Sequence, residues 1–313
     1  MVEFNKENVD IKTEEKAVEP KLPEQVTYKK PHKLKEYLDA LLFAGLVALL
    51  LKTFVVEAYR IPTSSMENTL LVGDFLLVNK FIYGPSTPRN IPFTNIRLPH
   101  IDLPSIKEPK KGDVVVFEYP GDIEVVKLPE VINYIKRLVG EPGDTILIKQ
   151  QVLYVNGKEI AKPETMLIDR SPQNEKFSPG KIFPQGSGWN EDNYGPIKVP
   201  KKGDLVKITP ENLETYKMLI IREGHTIRIT ADNKVFIDEK ESPEYKIEKD
   251  YYFMMGDHRT NSADSRYWGF LARDNIIGEA LIVYWSWDPN ISFSDPGRLL
   301  SSTRWDRIAK IIH

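Results

Sequence analysis

The stretch GDTILIKQQVLYVNGKE (143–159) decides the fold class. Thr145 to Gln150 and Val152 to Val155 are rich in β-branched and aromatic residues. Asn156-Gly157 then supplies two residues that tolerate positive φ in a tight hairpin turn. The same pattern extends outward through DFLLVNKFIYG (74–84), DVVVFEY (113–119), YYFMMG (251–256) and ALIVYWSW (280–287), each short, β-prone and bounded by Gly, Pro or Asp. Residues 85–109 and 163–200 are dense in proline, the second also in glycine, and read as loops. One helix is marked within this region, with Thr209 as cap, Pro210 and Glu211 opening it, and Leu213, Tyr216 and Ile220 on one face. The chain beyond residue 56 therefore reads as mostly antiparallel β.

An internal echo runs through it. PKKGDVV (109–115) recurs as PKKGDLV (200–206), and GDTILIKQQVLYVNGKE is followed in the same order by GHTIRITADNKVFIDEKE (224–241). Two matches in order favour a duplicated β unit. The second copy has no Lys-Arg pair where the first has Lys136-Arg137, so it reads as a structural appendage.

Composition narrows the chemistry. A length of 313 residues suggests two domains, and 43 basic against 45 acidic residues leave no basic excess for a nucleic-acid partner. The absence of cysteine removes thiol catalysis, disulfides and cysteine-ligated metals. The histidines (32, 100, 225, 258, 313) never fall at metal-ligand spacing. No metal or organic cofactor is expected, and the chemistry must rest on Ser, Lys, Asp, Glu or Arg.

One segment differs in kind. Tyr37 to Val56, with ALLFAGLVALLL (40–51) at its centre, is apolar on every face, and a bilayer core takes about 20 helical residues. A cleaved signal peptide would not carry so long a leading region, so we read a retained single-pass anchor. Lys29, Lys30, Lys33 and Lys35 precede it, whereas Glu57 is the first charge beyond Lys52. The positive-inside rule puts residues 1–36, a polar tail read as disordered, in the cytoplasm and everything after Val56 outside.

Just past the anchor lies YRIPTSSMENTLLVGDFLLVNK (59–80). Ser65 stands nine positions after Val56, a reach of at most roughly 30 Å, so it is held near the membrane surface. A serine needs a neighbouring base to become a nucleophile. His258, beside Asp257, suggests one arrangement. NYIKRLVGEPGD (133–144) suggests another. In an extended strand Tyr134, Lys136 and Leu138 share one face, and Ile135, Arg137 and Val139 the other; alternation does not choose between the two cations. Proton chemistry does, because arginine keeps its proton whereas a desolvated lysine loses it. By spacing alone Lys136 would pass for a surface lysine on an edge strand.

Three stretches together resemble bacterial type I signal peptidase, the membrane-bound serine protease that removes signal peptides from exported proteins. IPTSSMENTLLVGDFLLVNK resembles its nucleophile box, YIKRLVGEPGD its lysine box, and GDHRTNSADSRYWGF (256–270) its third signature; KKGDVVVFEYP (110–120) matches a further family segment. The resemblance spans roughly residues 37–160 and 250–290. It implies a barrel-like antiparallel β catalytic domain (57–160 and 250–313) behind one transmembrane helix (37–56), with an inserted β-rich subdomain at 161–249; the segment 163–250 has no part that closely resembles the best-known members.

The resemblance also implies roles. Ser65 is the nucleophile and Lys136 the general base. Thr63 Oγ and the Ser65 N–H form the oxyanion hole. Ser262 orients the lysine, while Asp257 with Arg137 and Asp264 with Arg266 brace the site. Tyr59, Ile61, Met66, Leu70, Tyr134 and Ile135 line shallow pockets for small side chains. Expected partners are membrane-bound preproteins and the lipid bilayer, near the secretion machinery. Ser64, His258 and Thr260 depart from the family's frequent Gly, Asn and Asp. Trp285, Trp287 and Phe293 could meet the membrane interface, but core burial is the expectation. Two other readings stay open: a Ser/Lys self-cleaving regulator, and a non-catalytic tethered β-domain that binds exported chains.

Overall fold

The computed structural model describes residues 33–84, 103–122, 130–291 and 294–313. The expected tail up to residue 32, most of the proline-rich segment 85–109, and Phe293 lie outside the described residues. The chain opens with helix α1 (Lys33–Phe54), which has no buried residue and, at 22 residues, is long and apolar enough to cross a membrane. It begins and ends earlier than the sequence indicated. Lys33, Lys35 and Glu36 are good helix formers and extend it backwards. Val56, expected inside the anchor, instead starts strand β1 (Val56–Arg60) and pairs with Asn79 of β2 (Asp74–Asn79).

The first half of the main sheet continues with β3 (Val114–Glu118) and β4 (Asn133–Gly140). The chain then leaves it. Strands β5 (Thr145–Lys149), β6 (Val152–Val155), β7 (Lys158–Glu159) and β8 (Tyr194–Lys198) form a separate four-stranded sheet in the order β7-β6-β5-β8. Asn156 and Gly157 turn the β6–β7 hairpin with φ of 53° and 76°, as the Asn-Gly pair requires. Strand β9 (Leu205–Lys207), helix α2 (Leu213–Arg222), a meander of β10 (Ile227–Ile229), β11 (Val235–Ile237) and β12 (Lys240–Glu241), and β13 (Glu244–Lys246) pairing β9 follow. Both copies of the echo are thus three-stranded antiparallel meanders, with Asp238-Glu239 at positive φ where the first copy has Asn156-Gly157. Helix α2 buries the expected Ile220, but Asn212 rather than Thr209 is its cap residue: Asn212 accepts from the Thr209 N–H and donates to Lys207 O, which holds residues 209–212 in a turn.

Strands β14 (Tyr251–Met255), β15 (Leu271–Ala272), β16 (Ile276–Ser286) and β17 (Lys310–Ile311), with short helices α3 (Ser265–Trp268) and α4 (Pro296–Ser301), complete the main sheet. Its order is β1-β2-β16-β3-β4-β14-β15, with β17 on β16, and every pairing is antiparallel. It is a curled half-barrel whose edge strands, β1 and β15, do not pair with each other among the described residues. The late strand β16 therefore sits between the early strands β2 and β3.

Both faces of the sheet are apolar. In β3, Val114 and Val116 join a cluster with Met66, Leu70, Leu76 and Val283, while Val115 and Phe117 join one with Leu138, Met254 and Trp268. A third cluster unites Val139, Phe253 and Met255 with Ile146, Ile197, Ile220 and Tyr245. The boundary expected at 160/161 consequently falls inside the four-stranded sheet, because the β5–β6 hairpin packs its apolar face with the inserted segment. Trp285 and Trp287 are half-buried and stack edge-on with each other and with Phe75 and the exposed Trp305, outside the three clusters, which corrects the expectation of core burial.

Candidate active site

The loop between β1 and β2 is anchored from beneath. Ile61 N–H donates to Asp74 O and Gly73 N–H to Ile61 O, closing the loop, and Leu70 N–H donates back to Met66 O, giving a helical turn. Met66 and Leu70 are fully buried and Ile61 nearly so. These three form the apolar floor under the loop, with Tyr59 packed against them, and do not line the groove above it. That departs from the pocket-lining role expected for them; side chains this apolar at the loop's base are drawn into the core. Of the expected pocket residues, Tyr134 and Ile135 do line the groove, a cavity of ≈ 420 Å³ whose walls also carry Thr63, Ser64, Ser65, Lys136 and Asn261.

At the groove's end Lys136 Nζ donates to Ser65 Oγ at 2.6 Å and to Ile135 O at 3.0 Å. Strand β4 lies between β3 and β14, which seals Lys136 to 4% exposure. Burial pushes its amine down from the usual lysine value to about 8, against the pull of Asp264 and Asp257, which favour the charged form. At that value roughly a tenth of the amine is neutral at pH 7, against about 0.03% for an unperturbed lysine. The expected edge-strand surface lysine is thus excluded.

Arg137, the next residue, is built for the opposite task. Its Nε and Nη2 grip Asp257 at 2.8 and 2.7 Å, and its Nη1 donates to Gly112 O. Asp257 also accepts from Thr69 Oγ1 at 2.5 Å, and Thr69 in turn meets Thr165 Oγ1. Arg266 forks onto Asp264 with two 2.8 Å bonds. Burial alone would raise the Asp264 carboxyl, but Arg266 outweighs it and holds it below the ordinary range. Ser262 Oγ is buried close to Asp264 and forms no well-aligned hydrogen bond here, so the expected bond to Lys136 is not made in this structure. Thr63 stands exposed at the lip of the groove. His258 is turned elsewhere: its Nδ1 meets Glu67 and its Nε2 meets Asp169, both at 3.1 Å, while its backbone N–H donates to Ser65 O. Its ring is occupied by those two carboxylates, and the nitrogen on Ser65 Oγ is that of Lys136.

The model of the family described as "Signal peptidase, peptidase S26" matches residues 34–285. The chain belongs to that family. Among its relatives, the signal peptidase I of Pseudomonas aeruginosa is 36% identical over 79% of this chain and 71% of the relative. That of Pseudomonas fluorescens is 33% identical over 86% and 80%. That of Aquifex aeolicus is 30% identical over 77% and 80%. The family match runs through residues 163–250, which the sequence reading left outside the resemblance. Membership makes this S26 chain a peptidase of the class that cleaves signal peptides from preproteins, with an apolar helix suited to anchoring it in a membrane.

Sequence reading missed four residues at this S26 site. Asn261, which donates to Ser64 Oγ at 3.0 Å, and Arg259 both lie inside the third signature, where their spacing beside Asp257 and Ser262 was a usable signal. Thr69 was hidden among apolar neighbours. Thr165 belongs to a proline-rich loop; the adjoining Leu167 N–H donates to Asp257 O, and Arg259 N–H donates to Leu167 O, laying that loop along the site.

Two expectations follow for the site. If Lys136 serves as the base, its neutral form is the one that reacts, and a depressed amine loses that form as pH falls. kcat/KM should therefore rise with pH and level off above about 8; measured from pH 6 to 10, a flat or falling profile would contradict the assignment. The second concerns Gly256, where a Cβ would meet Ser262 Oγ at 2.2 Å and Ser65 O at 2.5 Å. Gly256→Ala should force the loop bearing Ser65 away from Lys136, and a misplacement near 1 Å costs about 10²-fold in kcat. Single-turnover kinetics with the folded variant checks this.

Proposed function

We propose that this peptidase cleaves signal peptides from exported preproteins with Ser65 as nucleophile and Lys136 as general base. The observation that carries the reading is a buried lysine amine 2.6 Å from a serine hydroxyl at the end of an open groove. Neutral Lys136 takes the Ser65 proton as Oγ bonds to the scissile carbonyl carbon. The oxyanion so formed accepts from the Ser65 N–H and Thr63 Oγ1, and losing one such donor typically costs about 10²–10³ in kcat. The lysine then gives its proton to the leaving amine as the C–N bond breaks, leaving an ester on Ser65. Water, deprotonated by Lys136, attacks that ester and releases the new carboxylate and the free hydroxyl. Every proton is held by the chain's own residues or by water.

Substrate binds extended along Tyr134 and Ile135, adding a strand beside β4's exposed start. Helix α1 spans the cytoplasmic membrane once, with lysines on the cytoplasmic side and the β domain outside, so enzyme and preprotein share one surface. The bilayer and membrane-bound preproteins are its partners, at or near the point where secreted chains emerge. The test incubates the full chain with a signal-peptide-bearing precursor and sequences the new amino terminus, the Ser65→Ala protein serving as blank. Cleavage after a small residue is expected; a cut elsewhere, or the same cut in the blank, sinks the reading.

A further inference from the structure

Three guanidiniums and two carboxylates are buried together behind the nucleophile loop. Arg137 and Arg266 each hold one carboxylate, Asp257 and Asp264. Arg259 is left over. It is 6% exposed, and among the described residues its side chain makes one hydrogen bond, from Nε to Gly256 O at 3.1 Å, and no ion pair. A buried cation without a counter-ion is costly, and burial together with the neighbouring Arg266 pushes this one down to about 10.

Arg259 borders a recess of ≈ 230 Å³ that shares no lining residue with the groove at Ser65. Lys111 and Lys162 stand at its rim, and Leu153, Ile160 and Met166 form an apolar wall. Lys111 is engaged with Asp144 and Glu141, whereas Lys162 has no ion pair among the described residues. A cavity of about 150 Å³ takes benzene, so this one has room for roughly nine non-hydrogen atoms. No acidic residue lines it.

We propose that this recess binds an aliphatic carboxylate, with the carboxylate on Arg259 and the chain against Leu153, Ile160 and Met166. The charge surplus calls for an anion, and the wall calls for a hydrocarbon rather than a hydrated ion. Such a ligand bears on the proposed peptidase chemistry as well. A negative charge here adds to the pull of Asp257 and Asp264 on the Lys136 amine, keeps more of it protonated, and moves the rising limb of the pH profile to higher pH.

The test reads binding directly, so its failure is distinct from failure of the peptidase reading. The full chain in phosphatidylcholine nanodiscs is titrated calorimetrically with hexanoate, with empty nanodiscs as baseline and inorganic phosphate in a parallel run. Saturable hexanoate binding is expected, weakened at least tenfold by Arg259→Gln and by Ala161→Trp, which fills the recess with the cation kept, and unchanged by Lys207→Gln on the surface. Should Arg259→Gln fail to fold, Ala161→Trp decides. Absence of saturable binding, wild-type affinity in a folded recess variant, or phosphate binding as tightly as hexanoate overturns the proposal.

Discussion

Lys136→Met is expected to lower kcat/KM on a precursor by on the order of 10⁴–10⁶-fold, the scale seen when one member of a nucleophile–base unit is removed. Its fold should persist and even gain stability. The lysine amine is buried and depressed to about 8, so folding works against the solvation of its charge, whereas methionine fills the same volume at no such cost. Lys136→Arg is the sharper comparison. It keeps the charge and the length yet cannot surrender a proton, so it should be as inactive as methionine. Precursor turnover and thermal unfolding measured on all three proteins check both halves. If Lys136→Arg retained more than a tenth of wild-type turnover, the residue would be supplying charge rather than accepting a proton.

Asp74→Ala should give the largest loss of stability, about 3–5 kcal/mol, because it strands a buried guanidinium. Asp74 is fully buried at the far end of the loop between β1 and β2. Its carboxylate accepts from Arg307 Nε at 3.0 Å and Nη2 at 2.5 Å, from Ser286 Oγ at 2.7 Å and from the Leu71 N–H at 2.8 Å. Arg307 Nη2 also donates to Thr69 O, inside the loop that carries Ser65. Asp74→Ala/Arg307→Met removes both charges and should recover most of the deficit, since the penalty comes from leaving one ion unpaired. Thermal or urea unfolding of the two singles and the double completes the cycle; a double variant as unstable as the sum of the singles would show that the pair does not act as a unit.

The Ser65–Lys136 pairing came from the family boxes. The lack of cysteine and of metal-spaced histidine left Ser, Lys, Asp, Glu and Arg, and arginine's hold on its proton favoured Lys136 over Arg137; spacing alone still read Lys136 as a surface lysine. The β6–β7 hairpin was legible because Asn156-Gly157 is a local instruction, complete within two residues. What stayed hidden was non-local. Thr69, Thr165 and Asp74 are ordinary polar residues until partners 96 to 233 positions away are placed beside them. Thr209-Pro210 looked like a helix start, and only the side-chain bonds of Asn212 show that the chain turns first. Ile61, Met66 and Leu70 are apolar enough to face either a substrate or the core, and sequence offers no rule for choosing.

Strand β16 carries a consequence for how the protein comes into being. The loop bearing Ser65 and the strand bearing Lys136 are both synthesised in the first half of the chain, yet the sheet brings them together only when Ile276–Ser286 slots between β2 and β3. The loop's closing clasp, Arg307, arrives later still. A nascent chain emerging at about 5–20 residues per second therefore displays Ser65 and Lys136 well before the sheet has brought them together. The order of strands works as a timer: the Ser65 loop and the Lys136 strand are joined through the sheet only once β16 has taken its place.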